Sequence, residues 1–172
     1  MTCPNRDGKV GNRGCIFCSQ GGSGDFAASQ FLTISEQLEE AKTLIQAKVN
    51  RSIRIGDDSF ELSDDVPNAS ELLKKGSNKD NKQMYIAYFQ AYTNTYAPVS
   101  YLRKIFYEAI ESPDVAVLSI ATRPDCLEPE VIELLDELNK IKPVWIELGL
   151  QTIHDSTARF IRRGYKLDVF DK

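Results

Sequence analysis

Three short apolar runs begin near residues 84, 115 and 144, so the second half of the chain repeats at intervals of about 30 residues. Between the runs lie two segments with apolar residues at helical spacing, which begin at Pro98 and Pro129. Proline suits the first turn of a helix. Strands that alternate with amphipathic helices predict a parallel sheet with right-handed crossovers. Because the runs are almost continuously apolar, we expect both faces of this sheet to be covered.

The carboxyl ends of parallel strands are where ligands bind in folds of this kind. The segments that follow the three apolar runs are residues 90–95, 122–126 and 151–155. We therefore expect the functional site to lie among these segments.

The remaining chain is less regular. Residues 3–30 hold most of the glycines and predict a loop that can approach a ligand closely. A helix is expected to follow, with Ser35 as its N-cap. The charged stretch at 51–82 has no sustained periodicity and predicts either an inserted surface loop with a short helix at 69–75 or a partly disordered segment. A last helix is expected at 155–163, with Gly164 at its C′ position.

Composition excludes several classes of protein. Apolar residues make up 42% of the chain and charged residues 27%, which is typical of a globular protein. No apolar segment approaches the about 20 residues that a membrane helix needs, and the start does not resemble a signal peptide. We therefore expect a cytoplasmic protein that contacts no membrane. The net charge of −4 provides no global basic field for nucleic acid.

The cysteines are crowded at one end of the chain. Cys3, Cys15 and Cys18 form a C-x11-C-x2-C pattern, and a fourth cysteine follows at Cys126. Iron-sulfur clusters usually take four thiolates, so three would leave one iron open to a small molecule. A structural zinc site, with Cys126 or His154 as fourth ligand, is the alternative.

These cysteines lie in a series of motifs that resembles the N-terminal part of radical S-adenosylmethionine (radical SAM) enzymes. The motifs are Cys-Pro-Asn-Arg-Asp-Gly at 3–8, Gly-Cys-Ile-Phe-Cys at 14–18 and Gly-Gly-Ser-Gly-Asp-Phe at 21–26, then the segments 88–98, 121–126 and 147–152. The chain is most similar to an uncharacterised bacterial family related to the catalytic subunit of Elongator, a tRNA-modifying enzyme. It departs from the commonest superfamily pattern, C-x3-C-x2-C, by a longer first gap.

The resemblance implies a fold, two cofactors and a reaction. Cys3, Cys15 and Cys18 would hold a [4Fe-4S] cluster, and S-adenosylmethionine (SAM) would chelate the open iron. Reductive cleavage of SAM would give a 5′-deoxyadenosyl radical that abstracts hydrogen from a substrate. A one-electron reductant such as flavodoxin or ferredoxin is implied as a partner. Kinship with a tRNA-modifying enzyme makes RNA a candidate substrate, although the acidic charge argues mildly against it.

The resemblance also implies residues near SAM. Phe17 would lie near the adenine, or else pack under the loop. The superfamily has Gly-Gly-Glu after its first recognised strand to bind the SAM amino group. This chain has no glutamate there, and we place Thr93 and Asn94 near SAM instead.

Polar residues around the third apolar run complete the expected site. Glu147 and Gln151 would accept hydrogen bonds from ribose hydroxyls, because a carboxylate in an apolar strand is rarely a mere surface charge. The alternative for Glu147 is a structural pair with Arg123. Cys126 is expected to be a small packing residue rather than a thiol on the substrate side, and His154 a surface residue.

We therefore predict an α/β fold, a parallel-sheet partial (βα)6 radical-SAM barrel. Residues 1–34 would be the cluster-binding loop and residues 35–172 part of the core barrel, interrupted by the insertion at 51–82. The first strand and strands five and six of the barrel have no counterpart in the sequence, so we expect a truncated barrel that binds SAM poorly alone. The alternative is a zinc-stapled, non-enzymatic binding module.

Overall fold

The computed structural model describes residues 1–25, 27–55 and 83–171, with the backbone alone for residues 48–55. Residues 1–25 contain neither helix nor strand, and the first element is helix α1, Ile34–Ile55. The start expected for the insertion, residue 51, is therefore too early, because α1 continues through residues 51–55. Its remainder, including the helix expected at 69–75, lies outside the described residues.

Three parallel strands form the sheet. They are β1 (Tyr85–Phe89), β2 (Val115–Thr122) and β3 (Val144–Leu148), hydrogen-bonded in the order β1-β2-β3. Helix α2 (Val99–Ile110) connects the first pair and helix α3 (Pro129–Asn139) the second. The structure confirms the predicted α/β fold, and this arrangement is consistent with part of a radical-SAM barrel.

The hydrophobic core lies between the sheet and helices α2 and α3. Leu102 and Phe106 of α2, and Leu134 and Leu138 of α3, have no exposed surface. The rings of Phe106 and Phe89 meet edge to face, with centroids 5.0 Å apart. Since the apolar residues of both helices recur at three- and four-residue spacing, each helix buries one stripe against the strands.

The opposite side of the sheet is the open face, made by Ile86 and Tyr88 of β1, Ser119 of β2, and Trp145 and Glu147 of β3. Ile86 is 51% exposed and Trp145 is 53% exposed. Successive side chains of a strand point to opposite faces, so an apolar strand packed on one side still presents apolar groups on the other. The expectation that both faces are covered is thus wrong within the described residues, since only the helix side is packed.

The start of α1 differs from the prediction. Thr33, rather than Ser35, caps the helix: its Oγ1 accepts a hydrogen bond from the Glu36 backbone N–H at 3.2 Å. The Glu36 carboxylate in turn accepts one from the Thr33 N–H at 2.8 Å. This reciprocal pair is a capping box. Ser35 instead donates to Glu108 of α2, which ties the two helices together.

The chain continues into helices α4 (Asp155–Phe160) and α5 (Leu167–Phe170). Helix α4 ends before the expected residue 163, because Arg162 takes a positive φ of 58° and the chain turns there. Gly164 therefore does not lie at the C′ position, although its own φ is +84°. Among the helices of the described ranges, none is both long and apolar enough to cross a bilayer.

Candidate functional site

The cysteine loop (residues 1–25) lies across the carboxyl ends of the strands. The backbone N–H of Thr93, just beyond β1, donates to the carbonyl of Thr2 at 3.2 Å, and that of Tyr92 donates to Gly22 at 2.9 Å. On the other side, the N–H of Ile16 donates to the carbonyl of Ile161, after α4, at 3.2 Å. The loop is therefore placed where ligands bind in parallel α/β folds.

Asn5 fastens this loop to the end of α4. Its side chain is 4% exposed, and its Nδ2 donates to the carbonyls of Arg162 at 2.8 Å and Arg163 at 2.9 Å. The same nitrogen lies 3.3 Å from the Sγ of Cys15, whose thiol donates to the Arg162 carbonyl at 3.4 Å. Burial raises the pKa of Cys15, while the hydrogen bond from Asn5 opposes the rise. Asn5 belongs to the first cysteine motif, but nothing in the sequence indicates this anchoring role.

Cys3 lies beside a buried ion pair. Arg123 follows β2, is 8% exposed, and binds the Asp125 carboxylate through two hydrogen bonds of 2.8 and 2.6 Å. Its third nitrogen, Nη1, lies 3.8 Å from the Sγ of Cys3. A guanidinium held in this way places positive charge next to the sulfur of Cys3.

The turn that carries Cys18 is held by an arginine. Arg6 donates to the carbonyls of Cys18 at 3.2 Å and Gln20 at 3.3 Å, and it also contacts the carbonyl of Ser19. The Sγ of Cys18 lies 3.7 Å from the hydroxyl of Ser23. Phe17, the residue expected near adenine, is 53% exposed, so its ring does not pack under the loop.

The three cysteines fit an iron-sulfur cluster in the kind and number of their donors. All three thiols are free and half-buried, and the charges of Cys3 and Cys18 both act on the pKa of Cys15. Across the described ranges, however, no three cysteine, histidine or acidic side chains are arranged as a group that holds a metal ion. The fold thus brings the donors to one end of the sheet but does not close them around a common centre.

The residues expected near SAM beyond β1 are buried. Asn94 donates from its side-chain amide to the carbonyls of Phe89 at 2.9 Å and Ala121 at 2.8 Å, so it joins the ends of β1 and β2. Thr93 is equally buried beneath the start of the chain. Thr95, which sequence reasoning missed, contacts the Thr122 hydroxyl at 2.5 Å and donates to the Cys126 carbonyl at 2.6 Å. These side chains fix the edge of the sheet under the cysteine loop.

Glu147 lies on the open face and is held by two hydroxyls. Its carboxylate accepts hydrogen bonds from Ser119 at 2.8 Å and Tyr88 at 3.0 Å. The alternative pairing with Arg123 does not occur, because Arg123 binds Asp125. Gln151 is exposed beyond β3, where its φ is 67°. Sequence reasoning missed Tyr88 and Ser119, since only the register of the strands brings them to the carboxylate.

Tyr165 lies against two buried arginines, a cluster that the sequence analysis did not anticipate. Its ring centroid is 4.4 Å from the Arg163 guanidinium carbon and 5.2 Å from that of Arg123. Arg163 is 2% exposed and donates to the carbonyls of Leu150 at 3.1 Å and Thr152 at 2.6 Å. The cluster connects the segment after β3 to the residues beside Cys3.

The remaining two candidate residues, Cys126 and His154, lie outside any metal-binding group of the described residues. Cys126 is 6% exposed, and burial together with the charge of Asp125 raises the pKa of its thiol to about 12, so it is the packing residue that the sequence favoured. His154 is exposed at the start of α4, where its side chain makes no capping hydrogen bond. Neither residue joins the three cysteines in a metal-binding group within the described part of the chain, which gives the zinc alternative no support.

Comparison with known proteins identifies the family. The sequence profile of the Radical SAM superfamily matches residues 8–172, a range that includes Cys15 and Cys18 and begins after Cys3. The chain is 40% identical over 168 residues to the uncharacterized protein YtqA of Bacillus subtilis, covering 98% of this chain and 42% of YtqA. It is 36% identical over 173 residues to the protein YhcC of Escherichia coli K12, covering 100% of this chain and 45% of YhcC.

A third relative comes from an archaeon. The uncharacterized protein MJ0486 of Methanocaldococcus jannaschii is 33% identical over 172 residues, covering 99% of this chain and 42% of MJ0486. The chain therefore spans less than half the length of these curated relatives. With almost all of its residues matched by the family profile and three parallel strands in the expected order, this chain belongs to the radical SAM superfamily.

Proposed function

We propose that the chain is a cluster- and SAM-binding part of a radical-SAM enzyme, with Cys3, Cys15 and Cys18 as the protein ligands of a [4Fe-4S] cluster. The carrying observation is that three free, half-buried thiols lie on a loop across the carboxyl ends of the sheet, in a chain of this family. When bound, the cluster supplies one electron that splits SAM into methionine and a 5′-deoxyadenosyl radical, which takes a hydrogen atom from the substrate.

The residues of the chain would hold and orient these groups. Asn5 and Arg6 keep the two halves of the cysteine loop in place through buried or multiple hydrogen bonds. Arg123 places a positive charge 3.8 Å from the Sγ of Cys3. Fixing the ligands before the metal arrives lowers the cost of ordering them.

We place the proposed SAM site on the open face and at the carboxyl ends of its strands. The Glu147 carboxylate is oriented by Tyr88 and Ser119, and each oxygen retains a lone pair for a ribose hydroxyl. Gln151 lies beyond the end of the same strand with its side chain exposed. Phe17 presents a largely free ring for the adenine. Thr93 and Asn94 are buried below the loop, and we place them near SAM as supports of the strand ends.

Reconstitution of the protein with iron and sulfide without oxygen tests the cluster assignment. We expect a brown protein with about four irons per chain and an electron paramagnetic resonance signal after reduction. The Cys15→Ala variant should lose the cluster, whereas the Cys126→Ala control should keep it, because Cys126 is buried and is not one of the three proposed ligands. A Cys15→Ala variant with full iron content, or a colourless protein with one zinc, would contradict the proposal.

Cleavage of SAM is tested separately, by mass spectrometry of 5′-deoxyadenosine after reduction. Variants Glu147→Gln and Tyr88→Phe should keep the cluster and weaken SAM binding, since they alter the acceptor or its orientation on the open face. Loss of iron in these variants would instead show that the open face supports the cluster loop. RNA is the substrate class to test first, by comparing tRNA nucleosides from cells with and without the gene.

A further inference from the structure

A cleft of about 680 Å³ lies between the cysteine loop on one side and helix α4 with the segment that follows it, up to Lys166, on the other. Its walls carry four basic side chains, Arg13, Arg159, Arg162 and Lys166, against a single acidic one, Asp155. We call this group of residues the basic cleft. The whole chain has a net charge of −4, so positive charge is concentrated here against the overall sign.

The four cations of the basic cleft are unpaired among the described residues, where none comes within 4.0 Å of a carboxylate. Outside the cleft, Lys42, Arg103, Arg123 and Lys140 each form an ion pair, so their charges are locally balanced. Arg13, Arg159 and Lys166 are exposed, and Arg162 is partly so. Unpaired charges of one sign in a concave surface focus the field and attract an oppositely charged partner.

The basic cleft adjoins one of the proposed cluster ligands. Asn5 and Gly14 line its wall, and Gly14 directly precedes Cys15. Asn5 also contacts the Sγ of Cys15 at 3.3 Å, while the backbone carbonyl of Arg162 accepts a hydrogen bond from the same thiol. A partner seated in the cleft would thus be separated from this ligand by little more than one side chain.

We propose that the basic cleft is the docking surface for an acidic one-electron carrier protein of the flavodoxin or ferredoxin type. Radical-SAM enzymes generally need a reductant, and the carrier would lose one electron that the oxidised cluster gains, with no bond formed between them. Because the docking surface needs a cluster on the cysteine loop, it rests on the function proposed above. Electron-transfer complexes are small and held mainly by charge, which suits this exposed patch.

An RNA partner fits the basic cleft less well. Single-stranded nucleic acid is held by basic grooves with several aromatic rings for base stacking. The cleft has one ring, Tyr165, and that ring already lies against the guanidinium groups of Arg123 and Arg163. None of the open-face residues, where the SAM site is proposed, lines the cleft.

The test is charge reversal in the reconstituted protein, with Arg159→Glu and Lys166→Glu combined. Under exclusion of oxygen, stopped-flow spectroscopy follows reduction of the cluster by a reduced bacterial flavodoxin. At low ionic strength we expect the second-order rate to fall at least about tenfold, as steering by the cleft reverses. Most of the difference in rate between the variant and the unchanged protein should disappear at about 1 M salt, where the Debye length is about 3 Å. The milder double variant Arg159→Gln, Lys166→Gln should be reduced at a rate between that of the unchanged protein and that of the charge-reversed variant.

The control is Lys104→Glu on α2, an exposed residue outside the cleft, which reverses one charge where the test variant reverses two and should change the rate less than about twofold. Photoreduced deazaflavin, a small reductant, should reduce the cluster equally in every variant. Equal flavodoxin rates with an intact, photoreducible cluster would overturn the docking surface alone, whereas no reducible cluster in any variant would overturn the proposed function. Variants that lose tRNA binding but keep the flavodoxin rate would also overturn the docking surface.

Discussion

Replacing Gly164 by alanine should loosen the anchor of the cysteine loop. Gly164 has a φ of +84°, and a Cβ at this position would lie 2.1 Å from the Oδ1 of Asn5 and 2.9 Å from a methyl carbon of Val10. A heavy-atom separation of 2.1 Å cannot persist, so Asn5 or the backbone must move. Asn5 is the residue that binds the carbonyls of Arg162 and Arg163, and its displacement leaves those bonds unmade.

The expected loss of unfolding free energy in Gly164→Ala has two parts, one from the positive φ and one from overpacking. The Gly8→Ala control measures the first part alone. Gly8 has a similar φ of +96°, but nothing lies within 4 Å of the Cβ that alanine would add. The positive φ costs roughly 1–2 kcal/mol, offset by about 0.4–1 kcal/mol from a stiffer unfolded chain, so we expect Gly8→Ala to lose about 1 kcal/mol. Overpacking adds about 1–3 kcal/mol at Gly164, for a total loss of about 2–4 kcal/mol.

The loss of unfolding free energy in each variant is measured by urea unfolding, with far-ultraviolet circular dichroism as the signal. A second readout is the alkylation rate of Cys15 by iodoacetamide in the folded protein, resolved by peptide mass spectrometry. The rate should rise in Gly164→Ala, because Asn5 no longer covers the thiol, and should be unchanged in Gly8→Ala. Losses that agree within about 0.5 kcal/mol, with equal alkylation rates, would show that Asn5 does not fasten the loop.

Other predictions concern stability. The ammonium of Lys42 lowers the pKa of Asp114 from 3.8 to about 2, so this carboxylate should stabilise the fold above about pH 4 and lose its contribution, no more than about 2 kcal/mol, as the pH falls towards 2. Asp114→Asn should flatten this part of the pH profile of urea unfolding, and an unchanged profile would contradict the assignment. Thr33→Ala removes the capping hydroxyl of α1 and should cost about 1 kcal/mol by the same assay, whereas no loss would show that the capping box contributes nothing. Phe106→Ala empties a fully buried site beside Phe89 and should cost about 3–5 kcal/mol, and a loss below about 1 kcal/mol would be incompatible with this core.

The regular elements were predictable because their signals are local. The apolar stripes of α2 and α3 and the apolar runs of the strands are local patterns within about ten residues, and those of α2, α3, β1 and β2 are buried where the helices meet the sheet, whereas β3 stays largely exposed. The start of α1 was also visible, since Thr33 and Glu36 stand three residues apart as a capping box requires, and Ser35 was the weaker choice.

The details of the site depend on contacts that no local pattern contains. The partners of Glu147 are Tyr88 and Ser119, which lie on two other strands and reach it only in this register. Arg163 lies just beyond α4 in the sequence, yet it is buried and donates to carbonyls that follow β3. Composition and spacing indicate which groups are chemically suited to a site, but long-range pairing decides which of them meet.

The anchor formed by Asn5 has a consequence for the order of assembly. Asn5 is near the start of the chain, and its partners Arg162 and Arg163 are 157 and 158 residues further on. During synthesis the cysteines leave the ribosome first, but these hydrogen bonds can form only after all three strands and α4 have been made. The loop therefore reaches its anchored form only after Arg163 has been translated, and loading of metal onto an anchored loop has to follow that point.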